Sequence, residues 1–154
     1  MDTYIQDCKQ FKRVLWAFKP SIDGFNHCKL ILLIDGIFLT GKFHETLLIA
    51  TSVDGNNCLF PVAFAVVEGE NKCSWFWFMK CVRTHVTQRN GLTVISDRHA
   101  GILSLFRDEN SGWKEPRSVN RFCMRHFVSN YNTHFKNSTI KDLLYAAGMY
   151  IHID

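Results

Sequence analysis

Hydrophobic positions along the chain change period twice, and those changes divide it into elements. Ile5, Cys8, Phe11, Leu15 and Phe18 recur at helical spacing with charges between them, which predicts a helix over Tyr4–Phe18. Pro20 and Asp23-Gly24 then break the pattern. Short runs rich in Ile, Leu and Val predict strands over Lys29–Phe38, Thr46–Val53 and Leu59–Val67. Asp54-Gly55-Asn56-Asn57 lies between the last two and is a strong hairpin signal, because Gly and Asn tolerate positive φ. Three strands joined by short loops imply an antiparallel meander. The period then lengthens: Trp75, Phe78, Met79, Val82 and Val86 share one helical face, and Asn90-Gly91 stops it. Leu92–Ser96 predicts a fourth strand, parallel to its neighbour because it follows a crossover helix. Ala100–Arg107 predicts a short helix, Ser111–Pro116 a loop, and Val119–Met124 a fifth strand. Helical spacing resumes from Arg125, through Phe127, Tyr131 and Phe135, and again over Ile140–Tyr150.

The order is β-β-β-α-β-α-β-α, that of the ribonuclease H-like α/β fold: a mixed five-stranded sheet flanked by helices. Residues 1–28 are expected to form a helical lead-in, and residues 29–154 the main domain. Two aspartates stand where strand-like runs stop. Asp35 follows Leu30-Ile31-Leu32-Leu33-Ile34, and Asp97 follows Leu92-Thr93-Val94-Ile95-Ser96. A carboxylate at such a place is costly to desolvate unless a cation or a donor meets it. If the two strands are neighbours, the carboxylates also repel each other. A divalent cation between them removes both problems, and that is the arrangement of metal-assisted phosphoryl transfer.

Composition narrows the class. The chain has 154 residues, 47% of them hydrophobic and 13 of them Phe, as in a globular domain with a sizeable core. No apolar run approaches the roughly 18 residues of a membrane span, and Met1-Asp2-Thr3-Tyr4 does not open a signal peptide. Cys8, Cys28, Cys58, Cys73, Cys81 and Cys123 are widely spread without a CxxC pair, so most of them read as reduced core thiols in a reducing compartment. The net charge of +4 permits a nucleic-acid partner without demanding one, with weak basic clusters at Lys9-Lys12-Arg13 and Arg117-Arg121-Arg125.

Several ordered motifs carry a resemblance. They are Asp35-Gly36-Ile37-Phe38-Leu39-Thr40-Gly41-Lys42-Phe43, Asp54 to Asn57 with Phe60 to Glu68, and Ser74-Trp75-x-Trp77-Phe78. Ile95-Ser96-Asp97-Arg98-His99-x-Gly101-Ile102 and Cys123-x-x-His126 complete them. Together, from about Phe11 to Gly148, the chain resembles plant Mutator-like element (MULE) transposases. The resemblance implies a ribonuclease H-like core with an Asp-Asp-Glu metal triad, Mg²⁺ or Mn²⁺ as cofactor, and cut-and-paste DNA transposition. It implies transposon-end and target DNA as partners, admits a homo-oligomer, and implies a nuclear location away from membranes. Asp35 maps to the first catalytic aspartate and Asp97 to the second. The family's Glu lies after a helical insertion. No Glu follows Glu115, so the insertion is expected to begin near the C-terminus of this sequence and the third acid to be missing from it. Ile37 and Phe43 replace the family's Thr and Tyr. Two other outcomes descend from the same ancestry: a domesticated DNA-binding transcription regulator, as in the far-red-impaired-response group, or an inactive fragment of a decayed element.

Each motif has a structural reading as well. Asp35 with Gly36 makes a frequent turn pair. Asp97 can cap a helix through the amide of His99 or Ala100. Cys123 and His126 form half of a zinc site, which needs four ligands, and the resemblance links this motif to DNA recognition or to the insertion. Glu68 and Glu70 precede a helix and suit its dipole. Lys42, Arg98 and His99 are candidate phosphate contacts. Trp75-Phe76-Trp77-Phe78 reads as core packing, not as a base-stacking platform.

Overall fold

The computed structural model describes residues 12–42 and 44–150. The strands are β1 (Val14–Trp16), β2 (Ile31–Phe38), β3 (Thr46–Val53), β4 (Leu59–Val67), β5 (Leu92–Ser96) and β6 (Ser118–Phe122). The helices are α1 (Lys19–Phe25), α2 (Lys72–Cys81), α3 (Ala100–Arg107), α4 (Met124–Phe135) and α5 (Ser138–Tyr150). One π-helical turn, Val82–Val86, extends α2. The sheet has six strands among the described residues, in the order β1-β4-β3-β2-β5-β6. Pairing is antiparallel from β1 through β2 and parallel from β2 through β6.

The expected five-stranded sheet therefore gains an edge strand. The expected helix Tyr4–Phe18 is overturned at its described end, while Tyr4–Phe11 lies outside the described residues. Val14, Leu15 and Trp16 instead pair with Val66, Ala65 and Phe64 of β4. Their β-branched and aromatic side chains suit a pleated surface, and Leu15 reaches the core. Arg13 anchors this strand. Its Nε donates to Glu68 at 2.7 Å, its second guanidinium nitrogen to the other carboxylate oxygen, and its charge lies over the Trp77 ring at 5.7 Å. The bidentate contact holds the Glu68 carboxyl at about 2, well below its usual range.

One sheet face carries the core. Leu32, Ile34, Leu48, Ala50, Ala65 and Val94 alternate inward and meet Trp75, Phe78 and Met79 of α2 and Ile102 and Leu105 of α3. Each fully buried large apolar side chain contributes about 1.5–3 kcal/mol. The Trp75 to Phe78 run packs in or against this core, as the sequence implies. α2 starts where a capping box fixes it. Asn71 Oδ1 accepts from the amides of Cys73 (2.9 Å) and Ser74 (3.0 Å), and Ser74 Oγ accepts from the Asn71 amide (2.9 Å). α3 approaches α2 so closely that a Cβ on Gly101 would lie 2.8 Å from the Lys72 Cα.

The loop after α3 hides a second anchor. Trp113 is fully buried, its indole N–H donates to Met79 O at 3.0 Å, and the Arg83 guanidinium lies 4.4 Å from its ring. Arg83 donates in turn to the carbonyls of Gly112 (2.8 Å) and Arg89 (2.7 Å). No described helix is long and apolar enough to cross a membrane.

Candidate functional site

β2 is the strand on which pairing changes from antiparallel to parallel, and that change positions the aspartates. β2 pairs with β5 through Ile31↔Thr93, Leu32↔Val94 and Leu33↔Ile95. The pairing ends there: Asp35 lies two residues past Leu33, still within β2, and Asp97 lies two residues past Ile95, one residue beyond the end of β5. Asp35 is not at a strand end, as its hydrophobic run suggested. β2 continues to Phe38, held by β3 through Asp35↔Ile49 and on to Phe38↔Thr46. It is β5 that ends, at Ser96, beside the still-extended β2. β6 continues the parallel pairing: Ser96 pairs with Phe122, and the Cys123 amide donates to Ser96 O at 2.7 Å, so Cys123 lies beside Asp97. Asp35 thus lies within β2, while Asp97 and Cys123 directly follow the last residues of β5 and β6.

Strand alternation turns Asp35 away from the core. It shares its face with Leu33 and Ile37, and its row crosses the sheet as Asp35, Ile49, Phe64 and Trp16. An open cavity of about 370 Å³ lies over this face, with Leu33, Ile49, Thr51 and Ile95 at its floor and Cys123, Arg125 and His126 on its wall. α4 begins at Met124, so its first turn leans over Asp35. Arg125 Nη2 donates to Asp35 Oδ2 at 3.2 Å, and His126 Nε2 lies 3.8 Å from Oδ1. The Asp35 Oδ1 atom also accepts from the Gly36 amide at 2.9 Å. His126 Nδ1 is buried without a hydrogen-bond partner. Arg125 is the contact that sequence reasoning missed. Its signal was weak, a basic residue inside the Cys-x-x-His motif.

Asp97 accepts from the His99 amide at 2.9 Å, the expected contact, but it closes a local side-chain turn ahead of the helix and does not cap it. The N-cap of α3 is His99 itself, whose Nδ1 accepts from the Gly101 amide at 3.1 Å. His99 therefore has a structural task. Arg98 is exposed, with its guanidinium 5.6 Å from the Phe122 ring. Lys42 lies in the connection between β2 and β3. Phe43 lies outside the described residues. Glu68 is engaged by Arg13, and Glu70 accepts from the Trp75 indole at 3.2 Å. The Glu70 carboxylate occupies the space beside Gly36, 3.3 Å from where a Cβ would sit.

The donor set separates the two metal expectations. Asp35 and Asp97 offer hard oxygens, which suit a Mg²⁺-like ion that keeps several waters. Both the Arg125 pair and the His126 contact on Asp35 are partly solvent-exposed and displaceable. Among the described residues no three His, Cys, Asp or Glu side chains converge as a metal site. Cys123 and His126 supply two of the four donors that a zinc centre needs.

The chain matches the MULE transposase domain over residues 31–130, which is 100 of its 154 residues. It belongs to that family. The match begins at the first residue of β2 and ends within α4, so it contains Asp35, Asp97, Cys123 and His126. The domain is also similar to Protein FAR1-RELATED SEQUENCE 6 of Arabidopsis thaliana, at 27% identity over 128 residues. That alignment covers 80% of this MULE domain's chain and 17% of the relative, so the chain spans about a sixth of the relative's length.

Proposed function

We propose that this MULE domain is the catalytic core of a DNA transposase with a ribonuclease H-like fold, and that Asp35 and Asp97 hold a divalent cation, Mg²⁺ or Mn²⁺. The observation that supports the reading is the parallel β2–β5 register, in which Asp35 and Asp97 each follow the last paired residues, Leu33 and Ile95, by two positions. The central place of β2, with β5 beside it, supports the same fold.

Asp35 and Asp97 would hold the cation, which would supply Lewis-acid polarisation of a phosphodiester oxygen. The chain's own residues do the rest. Asp35 would present a carboxylate oxygen from within β2, and Asp97 one from the residue that follows β5. Arg125 and His126, on the wall beside Asp35, orient its carboxylate and meet the phosphate of a bound strand. Arg98, exposed after Asp97, neutralises a neighbouring phosphate. The partner is the DNA of transposon ends and target, and the working compartment is the nucleus. Two carboxylates are a sparse set of protein donors, so cation binding by this chain is weak.

The test is a calorimetric Mn²⁺ titration of the 154-residue chain, with Asp35→Asn and Asp97→Asn as variants, alongside DNA-end nicking by the full open reading frame. Each variant is expected to lose the Mn²⁺ heat and to reduce nicking to background. Mn²⁺ binding equal to wild type in both variants overturns the cation site. Wild-type binding without any nicking by the full protein overturns the transposase reading and favours a domesticated or decayed descendant.

A further inference from the structure

The aromatic run that sequence reading weighed as a base platform, Trp75 to Phe78, is committed to the core. A different set of aromatics is not. On α4, Phe127, Asn130, Tyr131 and His134 fall at i, i+3, i+4 and i+7 and make one stripe. With Arg98 they line a pocket of about 250 Å³. Phe122, Phe127 and Phe135 are 50%, 38% and 66% exposed. Tyr131 stacks on Phe135, with centroids 4.6 Å apart and planes at 27°, so its ring is held from one side. Arg98, which lines the pocket, also lies over the Phe122 ring, 5.6 Å from its centroid.

We propose that this pocket takes one unpaired nucleotide of a DNA strand. Phe127 or Tyr131 meets the base face, Asn130 and His134 meet its polar edge, and Arg98 meets its phosphate. Two observations favour a nucleotide over an apolar peptide. First, the stripe is not continuous apolar surface. An amide and an imidazole interrupt the rings, as a base with a π-face and a polar rim requires. Second, basic residues predominate around it. Residues 116–141 carry five Arg or Lys and no Asp or Glu, and no acid lines the pocket. A polyanionic strand is drawn to such a surface whatever its sequence. The pocket adjoins the candidate cation site, because Arg98 directly follows Asp97. The choice of DNA rests on the proposed function; the stacking geometry does not.

The test uses the 154-residue chain in EDTA, so that cation chemistry plays no part. Fluorescence anisotropy compares a duplex bearing a one-nucleotide overhang with the same duplex carrying an abasic overhang. The base-bearing duplex is expected to bind about 5- to 100-fold more tightly, the range of one base–aromatic stack. Tyr131→Ala is expected to remove that preference and leave affinity for the abasic duplex within about twofold, whereas Tyr131→Phe keeps it. Arg98→Ala is expected to weaken both duplexes and lower the salt slope by about one. Equal affinity for the two duplexes overturns the proposal. So does a Tyr131→Ala variant that weakens both alike, or competition by an amphipathic peptide in place of a mononucleotide. Asp35→Asn separates the two readings. If it abolishes Mn²⁺ binding and the base preference is absent from wild type, only the pocket falls. If the preference is present and Mn²⁺ binding is not, only the cation site falls.

Discussion

Removing the Arg125 side chain should strengthen divalent-cation binding, because Arg125 and a cation compete for the same carboxylate. The structure sets the size of the effect. Arg125 Nη2 stands 3.2 Å from Asp35 Oδ2, and the two side chains are 69% and 40% exposed. At that separation two unit charges in bulk water attract by about 1.3 kcal/mol, and exposed pairs retain about 0.2–1 kcal/mol after side-chain ordering. A cation that takes the Asp35 oxygen must first displace this pair. Arg125→Ala therefore raises Mn²⁺ affinity by about 1.5- to 5-fold. The gain should shrink in 1 M salt, where the screening length falls to about 3 Å, close to the pair's own separation. The assay is calorimetric titration of wild type, Arg125→Ala and Asp35→Asn at low and high ionic strength. If Arg125→Ala binds Mn²⁺ no better than wild type at low salt, while Asp35→Asn binds none, Arg125 is not a competitor for the Asp35 carboxylate.

Three further outcomes follow from contacts outside the site. Glu68 is depressed to about 2 by Arg13, so its contribution to stability is present above the unfolded value near 4.5 and is lost as pH falls towards 2. The pair is half-exposed, which limits it to about 1 kcal/mol; in denaturant titrations wild type should lose that much more than Glu68→Gln between pH 5 and pH 2, and parallel pH profiles would count against the pair. Gly101→Ala sets a Cβ 2.8 Å from the Lys72 backbone and should cost about 1–2 kcal/mol by urea midpoint. Gly148→Ala meets only the mobile Met124 side chain and should cost less, so a reversed ranking would refute the close α2–α3 approach. Asn71→Ala removes both cap bonds of α2 and should cost about 1 kcal/mol, whereas Asn71→Asp should retain most of it.

Elements with a sustained period were legible in the chain. Thr46–Val53, Leu59–Val67, Leu92–Ser96 and Ala100–Arg107 all form over the residues their pattern delimits. β1 was not legible, because its three residues owe their conformation to β4, about 50 positions away, and carry no local strand signal. Trp113 was hidden for a related reason. A buried residue in an aperiodic loop is fixed by Arg83 and the Met79 carbonyl, neither of which its neighbours reveal. The misplacement of Asp35 at a strand end is more instructive. The run Leu30–Ile34 looks continuous because the open face, with Leu33 and Ile37, is itself apolar, so the first polar residue reads as a boundary. In the sheet Asp35 is an ordinary member of the alternation, standing on the open side.

That alternation ties the candidate chemistry to the core. Leu32 and Val94 are fully buried partners across the β2–β5 pair, and they point opposite to Asp35. A slip of one residue in this pairing would drive Val94 out of the helix-covered face and turn every β5 side chain over. The loss of buried apolar area forbids that slip, and the same restriction fixes where β5 ends beside β2. The packing of α2 and α3 on the other face thus sets the strand positions from which the proposed cation site would be built. Substitutions that loosen that core, far from either aspartate, should therefore weaken cation binding in proportion to their effect on the β2–β5 pairing.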